Sequence, residues 1–338
     1  MKAARIYATS EHGDIRLETD VPVPVPGENE LLVQVAACGM CGHDQSDRLG
    51  LTRVPMPNIL GHEISGTVVA VGAKVQGFRE GDRVACKQQT MCGWCPACKA
   101  GRGMQDCKQR GFNHGGWAEF VTLSAGCVYP IPDNIDLEEA SIIACAVGTT
   151  FNALSNAAKV IPGETVLVTG SGGGLGIHGM QIAQAMGARS IALTSSPAKV
   201  ELLKGIGADE VVLAQGDDYW QGILDVTGGK GPDVVLDNVG LPNVFAPCFR
   251  AMKTGGRYVF TGQVARQKID IYAAFIFGKR GIITGAGPGT MTEFADAMKL
   301  VEDGKVKPII EKMKLDQAVE ATVRQDENRG FGRLVLIP

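Results

Sequence analysis

Residues 165–188 read Thr165-Val-Leu-Val-Thr169, then Gly170-Ser-Gly-Gly-Gly-Leu-Gly176, then IHGMQIAQAMGA. A short β-branched run enters a glycine cluster, and a stretch with apolar residues at helical spacing leaves it. Gly170, Gly173 and Gly176 stand three apart, with Gly172, Gly174 and Leu175 between them. Such a turn brings backbone amides and a helix N-terminus against a pyrophosphate. A lone glycine motif is weak, but here the strand before it and the helix after it supply the required context.

Downstream, SIALT (190–194), AKVELLKGIGA (198–208), EVVLA (210–214), DVVLDNVG (233–240), GGRYVFTG (255–262) and RGIITGAG (280–287) continue an alternation of strands and helices. Alternation of this kind predicts a parallel, doubly wound sheet with right-handed crossovers.

Upstream, the character changes. LLVQVAA (31–37), ILGHEISGTVVAVG (59–72) and DRVAC (82–86) carry strand patterning, and PVPVPG (22–27) is an extended connection. The first 130 residues read as an all-β, barrel-like domain whose loops hold cysteine and histidine. Two of those loops carry chemistry. The turn-rich Cys38-Gly-Met-Cys41-Gly-His43-Asp44 and the later Gly61-His62-Glu63 offer thiolate, imidazole and carboxylate, the donors that zinc takes. Taken alone, they read equally well as a buried cysteine pair and a surface histidine. Cys92-Gly-Trp-Cys95-Pro-Ala-Cys98, closed by Cys107, is more specific. Four thiolates fill a tetrahedral zinc and leave no open position, so this site is structural. An iron–sulfur reading is disfavoured because no CP follows the run. Cys145, inside the helical SIIACAVGTTFNAL (141–154), reads by default as a small core residue.

The chain has 338 residues, 45% of them hydrophobic, which predicts two domains with full cores. A net charge of −3 points away from a nucleic-acid surface. No apolar run approaches a membrane span, and the start MKAARIYATSEHG lacks a signal-peptide core. Ten cysteines then imply thiols and metal ligands in a reducing, cytoplasmic setting.

Together CGMCGHD, GHE, the four-cysteine loop, GGWAEF (115–120), ACAVGTT (144–150), VTGSGGGLG and the terminal GRLVLIP resemble the zinc-dependent medium-chain dehydrogenase/reductase family, the alcohol dehydrogenase superfamily, over essentially the whole length. The resemblance implies an α/β chain: a GroES-like β-barrel catalytic domain at 1–146, completed by about 283–338, and a Rossmann doubly wound parallel-sheet cofactor domain at 147–282. It implies catalytic zinc on Cys41, His62 and Cys145, with Glu63 approaching from behind. Asp44 would be the partner that orients the zinc histidine. Thr149 would lie beside the nicotinamide and Arg333 near the pyrophosphate. With the four-cysteine site, that makes two zincs per chain.

Three features depart from the family pattern. Eight residues separate Cys98 from Cys107 where seven are usual. The glycine turn is GxxGxxG, as in quinone and enoyl reductases. His43 stands where a relay hydroxyl is usual, and Ser46 where that relay's histidine is usual. A histidine at 43 would carry the proton itself, as general acid and base. The strand 190–194 ends in Thr194-Ser195-Ser196 and runs on to Lys199, with no carboxylate to meet a ribose 2′-hydroxyl. That rim favours NADP(H) over NAD(H).

The expected function is a zinc-dependent alcohol dehydrogenase or carbonyl reductase acting on a small-molecule alcohol, aldehyde or ketone. The alternatives are an NADPH-dependent reductase of activated C=C bonds (enoyl or acryloyl thioesters, or enones) and a non-enzymatic nucleotide-binding protein on the same fold. Lys87, Gln88 and Gln89 hint at a polar substrate, though strand-end solvation explains them equally well. His12, His114 and His178 read as surface or loop residues without function. The family's habit implies a homo-oligomer, tetramer or dimer, with neither nucleic acid nor membrane as partner.

Overall fold

The computed structural model describes residues 1–216, 218–265 and 267–338. The chain divides into two compact units. One comprises Met1–Cys145, Thr290–Glu302 and Ile310–Pro338, the other Ala146–Gly289 and Asp303–Ile309. The C-terminal return of the first unit thus begins at Thr290, and 303–309 fall with the second.

The first unit is built on a sheet ordered Val128–Pro130, Arg83–Cys86, Glu63–Val71, Glu30–Gly39, Arg333–Ile337 and Ile310–Lys314, with Phe120–Ser124 also paired to Glu30–Gly39. A smaller sheet joins Ile15–Glu18, Ala3–Ile6 and Asn58–Ile59. Inward residues of Glu30–Gly39 alternate as period two requires: Leu31, Val33 and Val35 are buried with Ile64, Val68, Val84, Trp117 and Leu336.

The CGMCGHD segment is less irregular than its glycines suggest. Its first part ends the strand Glu30–Gly39, and Gly42–Arg48 is a helix. The helix starts here because the Asp44 carboxylate turns back to accept the Cys41 N–H at 2.8 Å, satisfying a donor the first turn leaves open.

The second unit is a six-stranded parallel sheet ordered Glu210–Leu213, Arg189–Thr194, Thr165–Thr169, Val234–Asp237, Arg257–Phe260 and Ile282–Gly285. Strand order reverses between Thr165–Thr169 and Val234–Asp237, where ligands enter such sheets. Asp237 lies fully buried at that point. It accepts from the Thr169 hydroxyl, the Tyr258 hydroxyl and the Val239 and Gly240 amides, so its charge is completely satisfied.

His178 contradicts the surface reading. It is fully buried on the helix Gly174–Ala185, with Nδ1 donating to Gly174 O at 2.5 Å and Nε2 accepting the Ile309 N–H at 3.0 Å. Burial is tolerated because both ring nitrogens are partnered. His114 is also largely enclosed, whereas His12 is more than half exposed.

Candidate active site

Three segments of the first unit meet at one point. Cys41 precedes the Gly42–Arg48 helix, His62 and Glu63 open the strand Glu63–Val71, and Cys145 closes the unit. Cys41 Sγ and Cys145 Sγ are 3.8 Å apart, and Cys145 Sγ is 3.9 Å from His62 Nε2. Two sulfurs each about 2.3 Å from one tetrahedral ion stand about 3.8 Å from each other. The four donor atoms of Cys41, His62, Glu63 and Cys145 lie within 4.8 Å of one another, and all but Cys41 are fully enclosed.

Asp44 fixes the imidazole. It accepts from Gly61 N–H at 3.2 Å and faces His62 Nδ1 at 3.0 Å, so Nδ1 carries the proton and Nε2 presents its lone pair to the cluster. Glu63 is wholly buried, and neither carboxylate oxygen has a hydrogen-bond partner among the described residues; Arg333 Nη2 stands 3.1 Å from Oε1 as its counter-charge. Gly39 makes this approach possible, because a Cβ there would fall 2.1 Å from Glu63 Oε2.

The electrostatics are strained in the way a metal relieves. Burial pushes the Glu63 carboxyl up to about 7 against the pull of Arg333. The Cys41 thiol is held well below its ordinary value, chiefly by the hydrogen bond from Cys145, with Arg333 helping. Burial works against a charged His62, yet the Asp44 carboxylate raises it well above the usual imidazole value. Protons and a divalent cation compete for the same lone pairs. A softer S/N/O donor set with an unsatisfied buried carboxylate fits zinc.

His43 sits beside this cluster. Its ring stacks on Phe112 with centroids 4.3 Å apart and meets His62 edge-on at 5.6 Å. Its Nε2 is 3.5 Å from Asp47 Oδ1, one helical turn on. Asp47 is buried and also accepts the Thr52 hydroxyl. Ser46, by contrast, only donates back to Gly42 O at 3.2 Å. Phe112 and Asp47 escaped the sequence reading. Neither belongs to a motif, although Asp47 lies four residues after His43, a spacing that shares a helix face. Cys38 is a packed neighbour: Cβ atoms at Gly61 and Gly116 would fall 2.6 and 2.4 Å from its sulfur.

The four-cysteine loop also converges. Cys92 and Cys98 sulfurs are 3.8 Å apart, Cys95 and Cys98 3.5 Å, and Cys107 and Cys92 3.7 Å. Backbone amides of Cys95 and Cys98 point at the sulfurs of Cys92 and Cys95. Cys127, fully buried, adds a fifth sulfur to the same small core and accepts the Met91 N–H at 3.0 Å.

In the second unit, Gly170 has φ +59° and its carbonyl accepts the Gly173 N–H at 2.9 Å. Gly173 precedes the Gly174–Ala185 helix, and a Cβ at Gly176 would fall 2.4 Å from Gly170 O. Lys199 crosses this turn: its Cδ lies 2.4 Å from where a Gly172 Cβ would stand. Thr194 ends its strand and its hydroxyl accepts the Ser196 N–H at 3.2 Å, with Ser195 between. Thr149 is buried in the helix Gly148–Asn152. Arg333, in the first unit, donates from Nη1 to Met40 O at 3.1 Å, placing it behind the metal cluster.

Comparison with known proteins agrees with this geometry. Residues 27–133 match the alcohol dehydrogenase GroES-like domain family, and residues 174–303 the zinc-binding dehydrogenase family. An NAD-dependent alcohol dehydrogenase of Sulfurisphaera tokodaii is 32% identical, with 100% of both chains covered. An acryloyl-coenzyme A reductase of the same organism is 31% identical over 86% of each chain. A crystal structure of an NAD-dependent alcohol dehydrogenase superposes with a TM-score of 0.92 at 32% identity, again covering 100% of both chains. With its sequence and its fold both matched end to end, the chain belongs to the zinc-dependent medium-chain dehydrogenase/reductase family of the alcohol dehydrogenase superfamily and is an oxidoreductase enzyme.

Proposed function

We propose that this enzyme transfers hydride between NADP(H) and an alcohol or carbonyl compound, with catalytic zinc on Cys41, His62 and Cys145 in the first unit and the nicotinamide cofactor in the second. The convergence of Cys41, His62, Cys145 and Glu63 at tetrahedral spacing carries the proposal. Bound there, zinc supplies Lewis-acid polarisation of the substrate oxygen. Asp44 holds the His62 tautomer, Glu63 and Arg333 form the rear wall, and Phe112 stacks on His43. Cys92, Cys95, Cys98 and Cys107 hold a second, structural zinc. The amides of Gly170, Gly172, Gly173, Gly174, Leu175 and Gly176 receive the pyrophosphate at the helix start. Thr149 lies at the nicotinamide. Metal analysis with a panel of alcohols, aldehydes and enones tests the whole reading. Reduction of enones with carbonyls left untouched would transfer the assignment to C=C reduction, which the acryloyl-coenzyme A reductase relatives favour.

His43 moves the proton. His43→Ala is expected to keep both zincs and cofactor affinity while turnover falls about 10²–10⁴-fold, the usual worth of general acid–base help. Wild-type turnover in that variant would make His43 a bystander.

The 2′-phosphate is read by Thr194, Ser195, Ser196 and Lys199. Thr194→Asp is expected to shift the NADP(H)/NAD(H) ratio of kcat/KM toward NAD(H) by about tenfold or more, since a carboxylate repels phosphate and accepts ribose hydroxyls. A wild-type enzyme that already prefers NAD(H) would overturn the assignment.

The partner beyond substrate is a second copy. Ile271, Tyr272, Phe275, Phe277 and Ile282 expose large apolar side chains around the helix Ala273–Lys279 and the edge strand Ile282–Gly285, a patch that suits self-association. No helix among the described residues is long and apolar enough to cross a membrane, and the cytoplasm is the proposed compartment.

A further inference from the structure

Strand-end solvation does not explain Lys87 and Gln88. The two follow the strand Arg83–Cys86 and are only 1% and 2% exposed. Lys87 makes no ion pair with any described carboxylate, and its ammonium lies in the fields of the Cys145 thiol first, then of the Glu293 carboxylate and the Cys127 and Cys86 thiols. Burial lowers it to about 8. Gln88 is enclosed with both amide atoms, Nε2 and Oε1, unpartnered.

The backbone explains why these side chains are held inside. Asn113 donates from its amide to Gln88 O at 2.9 Å and from Nδ2 to Lys87 O at 2.6 Å. The next pair along, Gln89 and Phe112, is in strand register. Lys87 and Gln88 are therefore laced to the segment whose Phe112 packs on His43 and His62. One residue after Asn113, His114 Nδ1 is buried without a hydrogen bond among the described residues and faces Asp47 Oδ2 at 3.9 Å. A buried ammonium without an ion-pair partner and an amide with neither atom satisfied each cost free energy until something polar meets them. An apolar alcohol would leave them unsatisfied. A carboxylate accepts from both an ammonium and an amide N–H.

We infer that Lys87 and Gln88 form the specificity site for an anionic group on the substrate, so that the preferred substrates are hydroxy acids and oxo acids rather than simple alcohols and aldehydes. This rests on the dehydrogenase reading above and names its substrate class.

The test uses the zinc-loaded full-length enzyme with the cofactor it prefers. Kcat/KM is measured for 2- and 3-hydroxybutyrate against 2-butanol, and for 4-hydroxybutyrate against 1-butanol. At least one acid is expected to exceed its neutral counterpart by about tenfold or more, mainly through KM. In Lys87→Met that ratio is expected to fall about tenfold or more, with Lys87→Arg retaining more of it. An independent arm needs no variant: butyrate should inhibit 2-butanol oxidation about tenfold more tightly than butyramide. Faster turnover of the neutral member in every pair overturns the inference. So does an equal loss on both members in Lys87→Met, which would assign Lys87 to the Cys145 thiolate instead. Turnover of no alcohol or carbonyl at all removes the dehydrogenase reading itself.

Discussion

Cys41→Ser is expected to cut turnover by about a thousandfold or more while the zinc content falls from two per chain to one. Cys41 and Cys145 stand at the sulfur–sulfur spacing of a shared tetrahedral ion, and the third donor, His62, is locked by Asp44. A hydroxyl in place of the thiolate is a harder, weaker ligand with a shorter reach, so the site loses its ion. Lewis-acid polarisation is worth several kcal/mol of barrier, and each 1.4 kcal/mol is about tenfold in rate. The fold should persist, because Cys41 sits half-buried at a helix start that Asp44 still caps. Plasma emission analysis beside steady-state kinetics makes the check. One zinc or none in carefully prepared wild-type protein, or a Cys41→Ser enzyme with most of its activity, would sink the metal assignment.

Much of this was legible in the chain because the relevant signals are local. The β-branched run, the glycines three apart and the amphipathic helix occur within 24 residues, and Thr165–Thr169 and Gly174–Ala185 form where that pattern puts them. The candidate zinc donors announce themselves by chemistry, since few residue types serve. The missing parts are those that depend on which distant segments meet. Phe112 becomes a wall of the site only because Gln89–Thr90 pairs with Gly111–Phe112 beside the Gly42–Arg48 helix. Asp47 looks like a solvated helix residue until the fold buries it against His43 and Thr52. Lys87 and Gln88 follow a strand, where polar residues normally face water; burial is decided by Asn113, twenty-five residues away, through two hydrogen bonds. His178 interrupts an apolar helix face, and its burial depends on the Ile309 amide, 131 residues on. Composition and periodicity carry no information about such pairings.

The second large effect separates holding from reacting. Cys95→Ser should lower thermal stability by about 10 °C and leave the Cys41 site loaded. The loop between Cys92 and Cys107 has almost no apolar core of its own. Its buried cluster is Met91, Cys92, Cys107 and Cys127, with Cys95 and Cys98 packed against it. Its two helices, Pro96–Lys99 and Gly103–Asp106, are single turns that cannot stand alone. Four sulfurs within 4.8 Å of one another therefore repel or protonate unless an ion gathers them. Structural zinc contributes about 10–16 kcal/mol in small zinc domains. Losing about a third of that, at about 2–4 °C per kcal/mol for a domain of this size, gives the expected drop. Chelator treatment of the wild type should reproduce the same loss, along with the activity lost from the other site. Turnover of Cys95→Ser at low temperature should fall far less than that of Cys41→Ser, because no described residue of this loop supplies a donor to the Cys41 cluster. Unchanged melting with two zincs retained would mean the four thiols hold the loop through packing and amide–sulfur hydrogen bonds alone.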